Sequence, residues 1–379
     1  MKAKEEIKRA ALMLAIDYLL ADVDHNSDKV LDVFERAAPT HLSPAQRQSV
    51  SNAIESQNSF YELLMHILQL TPDMRDAFLK NLIVNCNLMA WGKQDQAHAL
   101  YSCEIPWAIL LDPTNTCNLH CTGCWTSQRN CDHDLSFEEI DSIIAQGKKL
   151  GVHFYIYNGG EPLLRRQDLV AIAKKHADCA FLCLTNGTLV DEEFCKEMIA
   201  MKNFIPAISI EGDEQTCDAR RGKGTHAKAL AAMEQLRLYG LPYGVSCCVT
   251  SDNIGAICSE EFVGSLVGTG ALFMWMFSYV PLDQGAPAEL ALNAEQRQQL
   301  DAFTNEMRAI KPLLIIDQQN DGAYAGSSIA GQRRYLRINA AGDIGPRLAS
   351  IGGAEGGEGC ALNIRNCTLL DALKTGMAM

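Results

Sequence analysis

The 379-residue sequence predicts an α/β fold. A parallel sheet with crossover helices, either open or curled into a partial barrel, follows a helical unit and precedes a smaller C-terminal one. Three observations carry this reading. Helical spacing runs through residues 1–104, six short apolar runs alternate with helical patterns over 105–285, and beyond 285 the periodicity weakens into a glycine-rich segment at 319–356.

Taken in order, Ile7, Ala11, Leu14 and Tyr18 recur at helical spacing. Ser43-Pro44-Ala45-Gln46 and Ser59-Phe60-Tyr61-Glu62 read as capping boxes, and Thr71-Pro72 sets an N-cap before a proline at the first helical position. His66, among Leu63, Leu64 and Ile67, reads as a packed histidine rather than a ligand. The six apolar runs are 107–111, 152–157, 180–184, 205–210, 243–249 and 272–280, and Ser136-Phe137-Glu138-Glu139 opens the first helix between them. In the C-terminal unit, 286–379, a strand is expected at 335–339, turning at Ala341-Gly342-Asp343, and a helix over 368–378.

Parallel sheets gather ligands at the carboxyl ends of their strands. Residues 112–115, Asn158-Gly159-Gly160-Glu161-Pro162, Thr185-Asn186-Gly187 and Glu211-Gly212 therefore converge on one mouth. A net charge of −13 without any Lys/Arg block excludes a phosphate-neutralising surface, hence nucleic acid. Asp17 interrupts the apolar N-terminal stretch and no small-residue cleavage site follows, so it does not read as a signal peptide. The uncharged window 263–282 is long enough for a membrane span, but Gly268-Thr269-Gly270 reads as a loop between a helix and a buried strand, and no transmembrane segment is expected. Fifteen cysteines spread over a large chain suit a reducing cytoplasm, with Cys183, Cys247 and Cys248 packing as small hydrophobes.

Three other cysteines stand together in CNLHCTGCW: Cys117, Cys121 and Cys124. A structural zinc site wants four ligands, and His120, Cys131 and His133 are the nearby candidates for the fourth. An iron-sulfur cubane held by three thiolates instead leaves one iron open to a ligand with an amine and a carboxylate, for which Gly159-Gly160-Glu161 offers backbone groups and an ammonium acceptor. The spacing alone leaves both readings standing.

Cys117-x3-Cys121-x2-Cys124 after one strand and Gly159-Gly160-Glu161-Pro162 after the next resemble the radical S-adenosylmethionine enzymes. Thr185-Asn186-Gly187, Ser209-Ile210-Glu211-Gly212 and the stretch from Asp218 through Arg220-Arg221 to Thr225 are similar to later segments of the subgroup with a cysteine-rich C-terminal extension, the SPASM and twitch types. The resemblance implies a partial (β/α)6 TIM-like barrel over 105–285, between an N-terminal helical domain, 1–104, and a small extension. It implies one 4Fe-4S cluster on Cys117, Cys121 and Cys124, with S-adenosylmethionine completing the fourth iron. Gly159, Gly160, Glu161, Thr185, Asn186, Ser209, Glu211 and Arg221 would contact that cofactor. An electron from flavodoxin or ferredoxin would cleave the sulfonium, and the 5'-deoxyadenosyl radical would take a hydrogen atom from a substrate. No catalytic acid or base is assigned.

The chain departs from the family's pattern. Gly123 stands where many members carry an aromatic residue, with Trp125 beyond the third cysteine, and the fifth strand lacks a Gly-x-Ile-x-Gly-x-x-Glu pattern. Ser328 and Arg347 occupy places where the extended subgroup has cysteine, leaving Cys360 and Cys367. A remnant extension without an auxiliary cluster is expected. Subgroup resemblance favours a peptide or protein maturase, whereas Phe273, Met274, Trp275, Met276, Phe277 and Tyr279 allow an apolar cavity for a lipid-like substrate. The alternative is a degenerate cluster protein that acts as a redox sensor or partner.

Overall fold

The computed structural model describes residues 2–38, 41, 44–124, 134–281, 286–321, 335–345 and 362–375. The N-terminal unit holds α1 (Lys2–Ala21), α2 (Val23–Ala37), α3 (Pro44–Ser56), α4 (Ser59–Leu68), α5 (Pro72–Leu79), a π-helical stretch at Lys80–Met89 and α6 (Ala90–Tyr101). Its core is Leu12, Ile16, Val30, Phe34, Leu79, Val84 and Leu88. The helical spacing of Ile7, Leu14 and Tyr18 marks the outer face of α1. Ile7, Leu14 and Tyr18 are exposed, and the packed face passes through Leu12, Ala15 and Ile16. The cap of α4 shifts by one residue, because Asn58 rather than Ser59 accepts from the Phe60 and Tyr61 amides. Thr71 and Pro72 open α5 as read from the sequence, while the expected cap at Ser43 lies outside the described residues.

The six predicted runs are strands, in register and in order: β1 (Ala108–Leu111), β2 (Phe154–Tyr157), β3 (Ala180–Thr185), β4 (Phe204–Ser209), β5 (Gly244–Val249) and β6 (Phe273–Ser278). Between them lie α7 (Phe137–Leu150), α8 (Arg166–Lys175), α9 (Glu192–Met201), α10 (Glu214–Arg221), α11 (Thr225–Leu238), α12 (Ile254–Ile257) and α13 (Glu260–Thr269). Ser136 and Glu139 form the expected capping box of α7. The uncharged window resolves into the end of α13, Gly270 at φ 90° and β6. Among the described residues no helix is long and apolar enough to cross a membrane.

The sheet does not stop where the sequence periodicity weakens. Helix α14 (Ala294–Ile310) leads to β7 (Leu314–Asp317), which pairs parallel to β6, while β8 (Tyr335–Ile338) pairs parallel to β1 and β9 (Ile344–Gly345) folds back on β8. The order is β7-β6-β5-β4-β3-β2-β1-β8-β9. A boundary at 285 thus cuts a continuous sheet: Asn293 and Gln296 cap α14 reciprocally, and this helix returns the chain for one further parallel strand. The last helix, α15 (Leu369–Lys374), rests on α7, with Leu369 N–H donating to Gln146 Oε1.

Side chains alternate between two cores. Ile109, Tyr155, Tyr157, Phe181, Val245 and Met276 meet the helices, whereas Ala108, Leu110, Phe154, Ile156, Leu182, Ala207 and Trp275 fill the inside of the curved sheet. Phe78, Leu82 and Cys86 join the inner set, so the π-helical stretch plugs the amino-terminal end of the barrel. Cys86 Sγ donates to His153 O at 3.2 Å.

His153, at that closed end, is buried, and burial holds its imidazole down to about 4 despite nearby Asp178. The unfolded chain takes up a proton near 6.5 and the folded one near 4, so stability falls as pH drops through this window. Between pH 7 and 5 the expected loss from this residue is about 2 kcal/mol. Urea unfolding of wild type and His153→Gln at both pH values measures it, and an equal loss in both proteins removes His153 as the cause.

Candidate metal and cofactor site

The carboxyl ends of the strands surround a cavity of about 310 Å³. Cys117, Cys121 and Cys124 line it together with Gly159, Gly160, Glu161, Thr185, Asn186, Ser209 and Arg221. Glu211 does not reach its surface. It is fully buried behind the wall, where Oε1 accepts from Arg220 Nη1 at 2.8 Å and Arg221 Nε at 2.6 Å, and Oε2 accepts from the Cys248 amide at 3.0 Å.

The cysteine loop is held from three sides. Gly160 N–H donates to Thr114 O and Glu161 N–H to Thr116 O, both at 2.9 Å, and Thr122 N–H donates to Arg220 O at 2.8 Å. Asn186 Nδ2 donates to Asn118 Oδ1 at 2.7 Å, and Asn118 Nδ2 to Thr188 Oγ1 at 2.8 Å. At the root of the loop, Asp112 pairs with Arg337 of β8, both buried. A Cβ on Gly160 would stand 2.1 Å from Thr116 O, and one on Gly159 2.4 Å from Thr114 O. The two glycines thus let the second-strand loop lie against the cysteine loop.

Glu161 is occupied within the protein. Its Oε1 accepts from Leu163 N–H and Thr185 Oγ1, and its Oε2 from Asn186 N–H at 2.8 Å. Burial pushes its carboxyl up, against the pull of these donors. Glu161 therefore ties the ends of β2 and β3 together at the cavity wall. Ser209 Oγ lies 3.0 Å from Ser246 Oγ, joining β4 to β5.

The three cysteines are half-exposed. Among the described residues, the one group of three or more candidate ligands with all donor atoms within 4.8 Å is His153, Asp178 and Cys179, so the three cysteine sulfurs are more widely spread. Thiolates around one tetrahedral zinc stand roughly 3.8 Å apart, given a Zn–S bond of about 2.3 Å. A polynuclear cluster spans the wider spacing. Burial pushes the Cys121 thiol up while Arg221 and Arg220 pull it back, and burial does the same to Cys117 against the Leu119 amide. Two guanidinium charges share the single carboxylate of Glu211, leaving a net positive wall beside the sulfurs. Arg220 Nε is buried with no hydrogen-bond partner among the described residues. Three thiolates, an uncompensated cation and an orphaned donor fit an anionic iron-sulfur cluster. Of the zinc candidates, His120 is exposed, and Cys131 and His133 lie outside the described residues.

Sequence reasoning missed part of the wall. Leu184, Ser246, Cys248, Gln318 and Gln319 also line the cavity. Cys247 packs in the outer core while Cys248, half-exposed, sits beside Arg220. Of the aromatic run on β6, Phe277 and Tyr279 reach the cavity, Trp275 lies in the inner core, and Met274 and Met276 face the helices. Gly123 has φ 69°, and a Cβ there would meet the Tyr279 ring at 2.8 Å. The aromatic surface beside the third cysteine thus comes from β6. Cys367 donates to Asn363 O at 3.3 Å, and Trp125, Ser328, Arg347 and Cys360 lie outside the described residues.

Residues 111–258 match the model of the Radical SAM superfamily. The chain is 28% identical over 151 residues to Fe-coproporphyrin III synthase of Methanosarcina barkeri, covering 38% of each chain. It is 29% identical over 204 residues to mycofactocin maturase MftC of Mycolicibacterium smegmatis, covering 52% of this chain and 51% of the relative. It thus spans about half or less of these curated relatives. Streptococcus suis SuiB bound to S-adenosylmethionine shares the fold, with a TM-score of 0.62, 17% identity and coverage of 77% of this chain and 72% of that one. The three-cysteine loop after the first strand of the partial barrel thus lies inside a segment similar to the Radical SAM superfamily, in a fold shared with a protein bound to S-adenosylmethionine.

Proposed function

We propose that this chain is an enzyme that cleaves S-adenosylmethionine reductively and removes a hydrogen atom from a peptide or protein substrate, as a SPASM/twitch-type maturase with a reduced extension. The observation that carries it is the spread of Cys117, Cys121 and Cys124 at the cavity mouth against the unpaired Nε–H of Arg220. When bound, the cluster supplies the electron that breaks the sulfonium C–S bond, giving methionine and, after hydrogen transfer, 5'-deoxyadenosine. Arg220 and Arg221 offset the negative charge of the sulfurs and are held in place by Glu211. Tyr279 supplies the aromatic wall beside Gly123. The maturase relative MftC supports a peptide substrate, while Leu184 and Phe277 keep an acyl chain compatible with the cavity. A flavodoxin or ferredoxin would deliver the electron.

The test is anaerobic reconstitution with iron and sulfide, followed by S-adenosylmethionine and dithionite. Formation of 5'-deoxyadenosine by mass spectrometry is the expected outcome. A loaded cluster without cleavage replaces this reading with a cluster protein that serves as a redox sensor or partner.

A further inference from the structure

Beyond the cysteines, the cavity contains a donor that the radical chemistry does not use. Gln318 follows β7, is 2% exposed and lines the cavity. Its main-chain N–H donates to Met276 O at 3.0 Å, and its Oε1 accepts from Trp275 Nε1 at 2.8 Å. An indole nitrogen only donates, so the amide cannot be turned around: the oxygen faces Trp275 and the NH₂ faces away from it. Gln318 Nε2 has no hydrogen-bond partner among the described residues. The neighbouring Gln319 differs, because its amide is spent on the main chain of Ser278, accepting from N–H at 3.0 Å and donating to O at 3.1 Å. Trp275 is in turn stacked on Phe277, centroids 5.1 Å apart, which fixes the position of the donor beside an apolar surface.

We propose that the wall at the ends of β6 and β7 is the substrate subsite of this cavity, and that Gln318 selects a neutral carbonyl oxygen carried on an apolar body. A buried N–H left unmade disfavours an empty or purely hydrocarbon occupant, and an oxygen acceptor completes it. The acceptor is neutral because the cations that line the cavity, Arg220 and Arg221, stand with Glu211 beside the cysteines, and Gln318 brings no charge to offset that of a carboxylate. Phe277 offers the apolar contact. The shared chemistry has two sources, a peptide amide and an acyl ester. The proposal rests on the reading that this cavity is the reaction chamber.

Reconstituted wild type, Gln318→Met and Gln318→Glu, each saturated with S-adenosylmethionine, are titrated by ligand-observed NMR with N-acetyl-leucine methylamide and with methyl hexanoate. The glutamate variant keeps an acceptor for Trp275 and removes the donor, so it separates recognition from folding; thermal melts check both variants. At least one probe is expected to bind wild type and to lose about fivefold in affinity in both variants, with S-adenosylmethionine affinity unchanged. Preference for the amide marks a peptide source, and preference for the ester an acyl one. Equal affinities in all three proteins, no binding of either probe to wild type, or a loss of S-adenosylmethionine affinity instead would each overturn the assignment. These titrations read binding and not cleavage, so absence of 5'-deoxyadenosine would remove the radical reading without touching them.

Discussion

Cys121→Ala is expected to abolish both iron loading and 5'-deoxyadenosine formation, with iron after anaerobic reconstitution falling from about four per chain to below one. The argument is geometric before it is chemical. Three sulfurs too widely spread to meet on one ion can jointly hold a cluster, and two of them leave half of its irons without a protein ligand. Cys121 is also a thiol on which Arg220 and Arg221 act, so its removal leaves two largely buried guanidinium groups facing a methyl group where a sulfur stood. Cys367→Ala is the matched control. That thiol donates to Asn363 O and lies outside the cavity, so iron content should equal wild type. Loss of iron in Cys367→Ala would instead reveal an auxiliary cluster in the C-terminal unit, and full loading of Cys121→Ala would end the three-thiolate assignment.

The sequence exposes this site because its chemistry is local. Each polar cluster at a strand end lies directly after an apolar run, and parallel strands bring such ends together whatever the intervening helices do. Cys117, Gly159, Thr185 and Ser209, from four separate strand ends and the loops that follow them, therefore come to one wall. What local pattern does not contain is direction and partnership. The spacing of Ile7, Leu14 and Tyr18 identifies a helix, yet α1 packs through Leu12 and Ile16 because the neighbouring helices meet that face. Glu161 reads as an acceptor, but the donors it takes from Thr185, Asn186 and Leu163 are not announced by its own stretch of sequence. Gln318 was legible in principle: residues 313–317, LLIID, form an apolar run ending in a polar turn after a capped helix, the same signature as the first six runs. The pairing of Arg337 with Asp112 joins residues 225 positions apart, and no periodicity announces it.

Gly160→Ala is expected to prevent cluster assembly rather than to weaken cofactor binding alone. The added Cβ would stand 2.1 Å from Thr116 O, 2.5 Å from Thr116 C and 2.6 Å from Asn115 O, all main-chain atoms of the segment leading into Cys117. A flexible side chain could swing aside, but this backbone is pinned: Thr116 O accepts from Glu161 N–H, and the buried pair Asp112–Arg337 holds the root of the loop. Relief must come from parting the two loops, which breaks the Gly160–Thr114 and Glu161–Thr116 hydrogen bonds and moves Cys117 relative to Cys121 and Cys124. The cost of overpacking against fixed atoms is roughly 3 kcal/mol, and the displaced sulfur removes one corner of the cluster site. Iron content, the visible absorption of the reconstituted protein and the thermal midpoint should therefore fall together. The other possible role of this glycine, a close approach to the methionine end of S-adenosylmethionine, gives a different result: normal iron loading and an unchanged thermal midpoint, with cofactor affinity alone reduced. Measuring iron before any S-adenosylmethionine is added separates the two, because only a glycine that shapes the cysteine loop acts at that stage.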